Sequence, residues 1–179
     1  MTPDLMRFVG RENPYAIQTP DGGYIPVHRT ITQKDLEDHA LGKTTLGTYV
    51  ITEKDMVNYG TVDIDCDPEK FEELKDALES LGYRIMELFP EFDRVLEFSG
   101  RRGFHVWVFP EKPEPPAFMR ELIKTRLRHK GLVHIEVFPK QDTAKGLNRG
   151  LGNLIKIPCG KHKRGGWSKI LAERRKGEP

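Results

Sequence analysis

Apolar positions recur along this chain with two periods, and the switches between them mark its elements. The first 45 or so residues are polar and turn-rich, punctuated by Asn13-Pro14 and Pro20-Asp-Gly-Gly23. Within them Thr32 can cap a short helix carrying Leu36, His39 and Ala40 that stops before Gly42. Residues 45–51 read as a strand, as do residues 60–65, where Val62 and Ile64 alternate with Asp63 and Asp65. Asp67-Pro68 supplies a cap and a first-turn proline for a helix with Phe71, Leu74, Leu78 and Leu81 on one face, expected to end at Gly82. Residues 83–89, 95–98 and 104–109 follow as predicted strands. Pro115-Pro116 opens a second helix through Phe118, Leu122 and Leu127, closed by Gly131, and residues 132–138 and 153–157 complete the strands. Helices separated by paired strands predict an α+β fold, a mostly antiparallel sheet covered by helices.

A length of 179 residues suits one domain with one core and a small appended lobe. At 37% hydrophobic and 31% charged residues, the chain reads as soluble and rich in surface charge. No apolar run approaches the length of a membrane span, and Met1-Thr-Pro-Asp has no signal-peptide pattern, so a cytoplasmic protein with no membrane partner is expected. Cys66 and Cys159 lie far apart without a CxxC pair, which excludes a disulfide framework and argues against zinc. Net charge is only +2, but its distribution is uneven. From Lys161 onward seven Lys and Arg face two Glu. Such an end suits either a solvated tail or contact with nucleic acid, for which Lys161, Lys163 and Arg164 are the candidates.

Candidate chemistry concentrates in four segments. Asp63 and Asp65, two apart on a strand, emerge on one face; such a pair suits Mg²⁺ or Mn²⁺, or marks a solvated strand end. Glu136 sits among Val133, Ile135 and Val137, so its carboxylate needs a partner, a metal or open solvent. His134 shares its face. In Ser99-Gly-Arg-Arg-Gly-Phe-His105, Gly100 and Gly103 permit close approach of backbone to a ligand, while Ser99, Arg101, Arg102 and His105 can donate to oxyanions. A basic β-turn with a satisfied histidine has the same composition. Lys156 is a lone cation in an apolar strand, either an edge residue or one turned toward an anion, and His162 follows a Pro-Cys-Gly turn.

Taken in chain order, an Asp-x-Asp strand, the Ser99–His105 loop with Val106-Trp107, an acidic strand and Lys156-Ile-Pro-Cys-Gly-Lys-His162 resemble the archaeo-eukaryotic primase superfamily. Ile25-Pro-Val-His28, Leu36-Glu-Asp-His39, Gly42–Tyr49, Phe138-Pro-Lys-Gln-Asp142 and Leu151-Gly-Asn-Leu154 are similar to the primase-polymerases of mobile-element conflict systems and CRISPR loci. The resemblance implies an RRM-like catalytic core (about 46–165) with an amino-terminal lobe (about 1–45), followed by the basic tail (about 166–179). It implies that Asp63, Asp65 and Glu136 are the catalytic carboxylates holding two Mg²⁺ or Mn²⁺ ions. It places Ser99, Arg101, Arg102, Gly103, His105, Lys156 and His162 on the incoming nucleoside triphosphate. The implied activity is that of a DNA primase or DNA polymerase on a single-stranded or primed template. No helicase motor fits in this length, so a helicase or another replication or defence protein is an expected partner. Many members carry Asp where this chain has Glu136, and the zinc-binding insertion of cellular small primase subunits is missing. A non-catalytic RRM-like nucleic-acid-binding module and a two-metal nuclease are the alternatives.

Overall fold

The computed structural model describes residues 4–145 and 150–178; the opening Met1-Thr-Pro3 and the final Pro179 lie outside them. The elements in chain order are β1 (Tyr15–Gln18), β2 (Tyr24–Val27), α1 (Gln33–Ala40), β3 (Leu46–Tyr49), β4 (Gly60–Asp65), α2 (Phe71–Met86), β5 (Asp93–Phe98), β6 (Gly103–Phe109), α3 (Pro116–His129), β7 (Glu136–Phe138), β8 (Leu154–Lys156) and β9 (Lys169–Arg174). Thr32 caps α1 as its sequence predicts, in a reciprocal box with Asp35. The fold is α+β, with two antiparallel sheets ordered β7-β4-β6-β5-β9 and β2-β1-β3-β8.

Strands β4, β5, β6 and β7 with α2 and α3 form a β-α-β-β-α-β unit whose strands lie fourth, first, third, second. The even-numbered positions of β4 (Gly60, Val62, Ile64) and their neighbours Val106, Leu96 and Val137 share the face covered by the helices. Met119, Ile123 and Leu127 of α3 and Phe71, Ile85 and Met86 of α2 are buried there. The opposite face carries Thr61, Asp63, Glu97, His105 and Trp107. Its inner part is closed by Phe8 and Tyr59, whose rings meet Trp107 edge-on at 5.0 and 4.9 Å. Thr61, Glu97, His105 and Trp107 are buried, and the end bearing Asp63 and Asp65 opens outward.

Four expectations change. Helix α2 does not stop at Gly82 but runs to Met86, so residues 83–89 are not a strand. Gly82 is a contact residue rather than a cap: a Cβ there would lie 2.6 Å from Leu96 Cδ1, and Ile85 and Met86 continue the buried stripe. The strand expected over 132–138 is only Glu136–Phe138, because pairing with β4 begins at Asp63 opposite Glu136 and Val133 is exposed. Phe118 lies outside the buried face of α3. The sheets also cut across the expected boundaries. β3 pairs with the lobe strand β1, β8 extends that sheet by pairing with β3, and the basic tail contributes β9, which pairs with β5 from Phe98 to Arg94. Two of the tail's charges are tied down: Arg175 bonds Asp93 and Lys176 bonds Glu111, both through their side chains. Among the described residues no helix is long and apolar enough to cross a membrane.

Candidate active site

One row of directly opposed residues crosses the five-stranded sheet: Glu136 on β7, Asp63 on β4, His105 on β6 and Glu97 on β5. Opposed residues share a face, so four titratable groups stand side by side. Asp65, two residues on from Asp63, extends the row toward the open end. At β6's start Gly103 faces Asp65, and a Cβ on it would sit 2.3 Å from Ile64 O; only glycine lets β6 begin so close to β4. Its place in the site is therefore to shape the backbone.

The Ser99–Arg102 turn is closed by Ser99 N donating to Gly103 O at 2.9 Å. Gly100, at φ +90°, turns its carbonyl onto Gly166 N at 2.5 Å, which fastens this turn to the 160–168 loop. The two loops and the strand ends enclose a cleft of about 230 Å³ lined by Asp63, Asp65, Ser99, Arg101, Arg102, His105, Lys156 and His162. Glu136 is not in it. It lines an adjoining cleft of about 490 Å³ with His134, Ile135, Leu78 and Leu81, and the two clefts share Asp63, Asp65 and Arg102 as a common wall.

Several charges here are paired with one another. Arg102 contacts Asp65 at 2.7 Å, Lys140 contacts Glu136 at 2.5 Å, and His105 Nε2 lies 3.5 Å from Asp63. Among the described residues no three His, Cys, Asp or Glu side chains close tightly enough to hold a metal ion. The donor set nonetheless suits a hard divalent cation, being all carboxylate oxygen on two adjacent strands. Burial pushes the Asp63 carboxyl above its usual range, and the charges of Asp65 and Glu136 push it further, against the pull of His105 and Lys140. A cation beside Asp63 would relieve that crowding.

Glu97 is the residue that sequence reasoning missed. It is fully buried, and three donors converge on it: His105 Nδ1 at 2.9 Å, Trp107 Nε1 at 2.9 Å and Lys156 Nζ at 3.5 Å. Burial alone would raise its pKa, but the charges of Lys156 and His105 outweigh that and hold it ionised. Burial likewise opposes the charge on His105, yet Glu97 and Asp63 on either side raise its pKa. The signal was present in Val95-Leu96-Glu97-Phe98, a lone anion in an apolar strand. The register between β5 and β9 shifts at Leu96/Glu97, where Leu171 is the extra residue on β9.

Lys156 and His162 come out differently from expectation. The Lys156 ammonium is 6% exposed and its three N–H groups face Glu97, Ile157 O at 2.9 Å and Ser168 Oγ at 2.8 Å. The anion toward which it turns is internal, and it links the two sheets. His162 accepts from Arg164 N at Nδ1, 3.0 Å, and has Gln18 near Nε2 at 3.4 Å. Burial, with Lys156 and Arg101 nearby, lowers its pKa to about 4, so it enters the cleft as a neutral ring. His39, by contrast, is a satisfied core histidine, accepting from Leu46 N and lying 3.0 Å from Ile157 O and Pro158 O. Lys161, Lys163 and Arg164 project from the loop that returns His162 to the cleft.

The family model for the archaeo-eukaryotic primase domain of the TOTE conflict system matches residues 5–174, nearly the whole chain. No curated protein matches it.

Proposed function

The chain belongs to the archaeo-eukaryotic primase family, in the group of the TOTE conflict system, whose chemistry is nucleotidyl transfer, and from that membership we propose that it is a template-directed DNA primase or polymerase. The observation carrying this reading is the 230 Å³ cleft. Residues from four separate segments meet there, with two carboxylates on one wall and Ser99, Arg101, Arg102, His105 and His162 on the others. That pairing of acidic wall and donor cradle fits a nucleoside triphosphate whose α-phosphate lies toward Asp63 and Asp65.

In this reading Arg101 and Arg102 bind phosphate oxygens as charged fork donors, and Ser99 adds a hydroxyl. His105 is oriented by Glu97 at Nδ1, which leaves Nε2–H for the triphosphate or for Asp63. His162 supplies a neutral N–H. Lys156 acts from behind the wall, holding Glu97 and through it His105. Asp63 and Asp65, with Glu136 on the adjacent strand, would hold Mg²⁺ or Mn²⁺. When bound, such ions neutralise charge on the reacting phosphate and activate the attacking 3′-hydroxyl. The residues thus contribute mainly by positioning and electrostatics. The partners implied are nucleoside triphosphates and a single-stranded or primed template, with a helicase or other defence protein to expose it. A base-stacking module on this sheet is less consistent with the structure, because Trp107 is buried beneath Phe8 and Tyr59.

One gel tests the proposal: labelled nucleotide on a single-stranded template, with and without primer, in Mg²⁺ and Mn²⁺. Template-dependent extension with pyrophosphate release is expected. Release of nucleoside monophosphates from the template instead would make the protein a nuclease.

A further inference from the structure

The loop that returns His162 to the catalytic cleft is a small hairpin, and its far side carries the more exposed of the two tryptophans. Lys161 and Trp167 face each other in an antiparallel bridge, and His162 N donates to Gly166 O at 2.9 Å. The edge of the Trp167 ring rests against Gly42, yet the residue is 41% exposed, whereas Trp107 is wholly buried. A cleft of about 430 Å³ opens beside Trp167, lined by Phe98, Phe104 and Leu171 with Lys75, Lys169 and Glu79.

The charges around this ring are mostly of one sign. Between Lys161 and Ala172 the chain has four cations and no acid. Among the described residues Lys75, Lys161, Lys163 and Lys169 form no ion pair; Lys54, Lys70, Lys112, Lys124, Lys130 and Lys145 are also unpaired, so what sets these four apart is their place in the cleft and hairpin that carry the exposed indole. An exposed indole flanked by unpaired lysines is the combination that binds single strands: any base can stack on the ring, and the lysines meet the phosphates. A purely apolar partner would leave these ammonium groups desolvated without counter-charge.

We infer that Trp167 is a stacking platform for a base of the single-stranded template, with Lys75 and Lys169 on one side of the ring and Lys161 and Lys163 on the other holding the flanking phosphates. This rests on the reading that the protein works on a nucleic-acid template, and it adds a contact outside the catalytic cleft. The hairpin couples the two: the segment presenting Trp167 also positions His162, and Gly166 N anchors it to the Ser99–Arg102 turn. Template engagement therefore bears directly on the loops of the nucleotide site.

Intrinsic fluorescence tests this, because Trp167 is the exposed tryptophan. Titration with a twelve-residue oligo(dT) is expected to quench the wild-type emission to saturation, and equal duplex to quench it less. Trp167→Leu keeps an apolar side chain against Gly42 and should weaken oligo(dT) binding, read by anisotropy of a labelled oligonucleotide, roughly 5- to 150-fold. Trp167→Phe should retain most of the affinity. Lys75→Gln with Lys169→Gln should lower the slope of log affinity against log salt by up to about 1.4. Binding without quenching in the wild type, or unchanged affinity in Trp167→Leu, overturns the site. Either result leaves the extension assay free to succeed, and quenching without extension would uphold the site while removing the polymerase reading.

Discussion

Replacing Glu97 with alanine should be the most damaging single change to this fold that leaves its apolar core untouched. The substitution strands three donors: Lys156 Nζ, His105 Nδ1 and Trp107 Nε1, in residues that are 6%, 7% and 0% exposed. Removing one partner of a buried ion pair costs about 3–5 kcal/mol. Lys156 retains Ile157 O and Ser168 Oγ, which places this case toward the lower half, about 3–4 kcal/mol. In a chain of this size each kcal/mol moves the melting temperature by about 2–4 °C, so a fall of about 6–16 °C is expected. Urea unfolding followed by circular dichroism measures the free energy directly. The pairing also has a pH signature. The Glu97 pKa is depressed below its ordinary 4.5, so its contribution is present above that value and lost as pH falls through the lower folded pKa. The His105 pKa is raised above 6.5, so its contribution is present below that value and lost as pH rises through the folded pKa. The stability difference between wild type and Glu97→Ala should accordingly be largest between about pH 4.5 and 6.5. Glu97→Leu combined with Lys156→Met should recover much of the loss, since an apolar pair can replace a buried ionic one. A cost below about 1 kcal/mol for Glu97→Ala, or a double variant as unstable as its two single changes added together, would refute the reasoning.

Asp63→Asn should abolish nucleotide incorporation while the melting temperature holds or rises, because crowding with Asp65 and Glu136 is relieved. Millimolar Mn²⁺ should raise the melting temperature of the wild type and not of this variant; an equal shift in both would remove the metal assignment. His105→Ala should raise KM for the nucleotide by roughly tenfold to a hundredfold, the worth of a charged hydrogen bond, with template affinity little changed. Loss of template affinity alone would move His105 to the template path. Truncation after Trp167 should yield an unfolded or aggregated chain, since it strips β9 from β5 and bares an edge. A soluble, cooperatively melting truncation would show β9 to be dispensable.

The alternation of Val62 and Ile64 with Asp63 and Asp65 makes the strand of the candidate site legible, because a period of two survives whatever surrounds it. The Ser99–His105 loop was legible for a different reason: two glycines, two arginines and a histidine in seven residues have few uses. What the sequence hid was pairing. Lys156 and Glu97 each interrupt an apolar run, Leu154-Ile155 and Val95-Leu96, and the close approach of β8 to the five-stranded sheet shows that they answer one another. Gly82 looked like a stop signal until Leu96 was found against it. The tail's composition fits a solvated end or a nucleic-acid contact alike, and nothing local shows that Arg175 and Lys176 are held by Asp93 and Glu111, some 65–83 positions back. Local pattern sets an element's type, and long-range contact decides its length and company.

The sheet that carries Lys156 is assembled from distant parts of the chain. Its first three strands are synthesised within the opening 49 residues, but β8, which pairs with β3 through Gly47 and Lys156, arrives about a hundred residues later. A ribosome therefore releases the lobe half-built, with β3 exposing an unpaired edge while β4 to β7 emerge behind it. At about 5–20 residues per second that interval lasts several seconds, long enough for the core to collapse first. The lobe closes when β8 brings Lys156 against Glu97, and β9, the last strand made, then completes the five-stranded sheet along β5. Until β8 arrives, β3 keeps an open edge and Glu97 has His105 but not Lys156 beside it, so a nascent chain stalled before residue 156 should be prone to aggregation and to capture by chaperones.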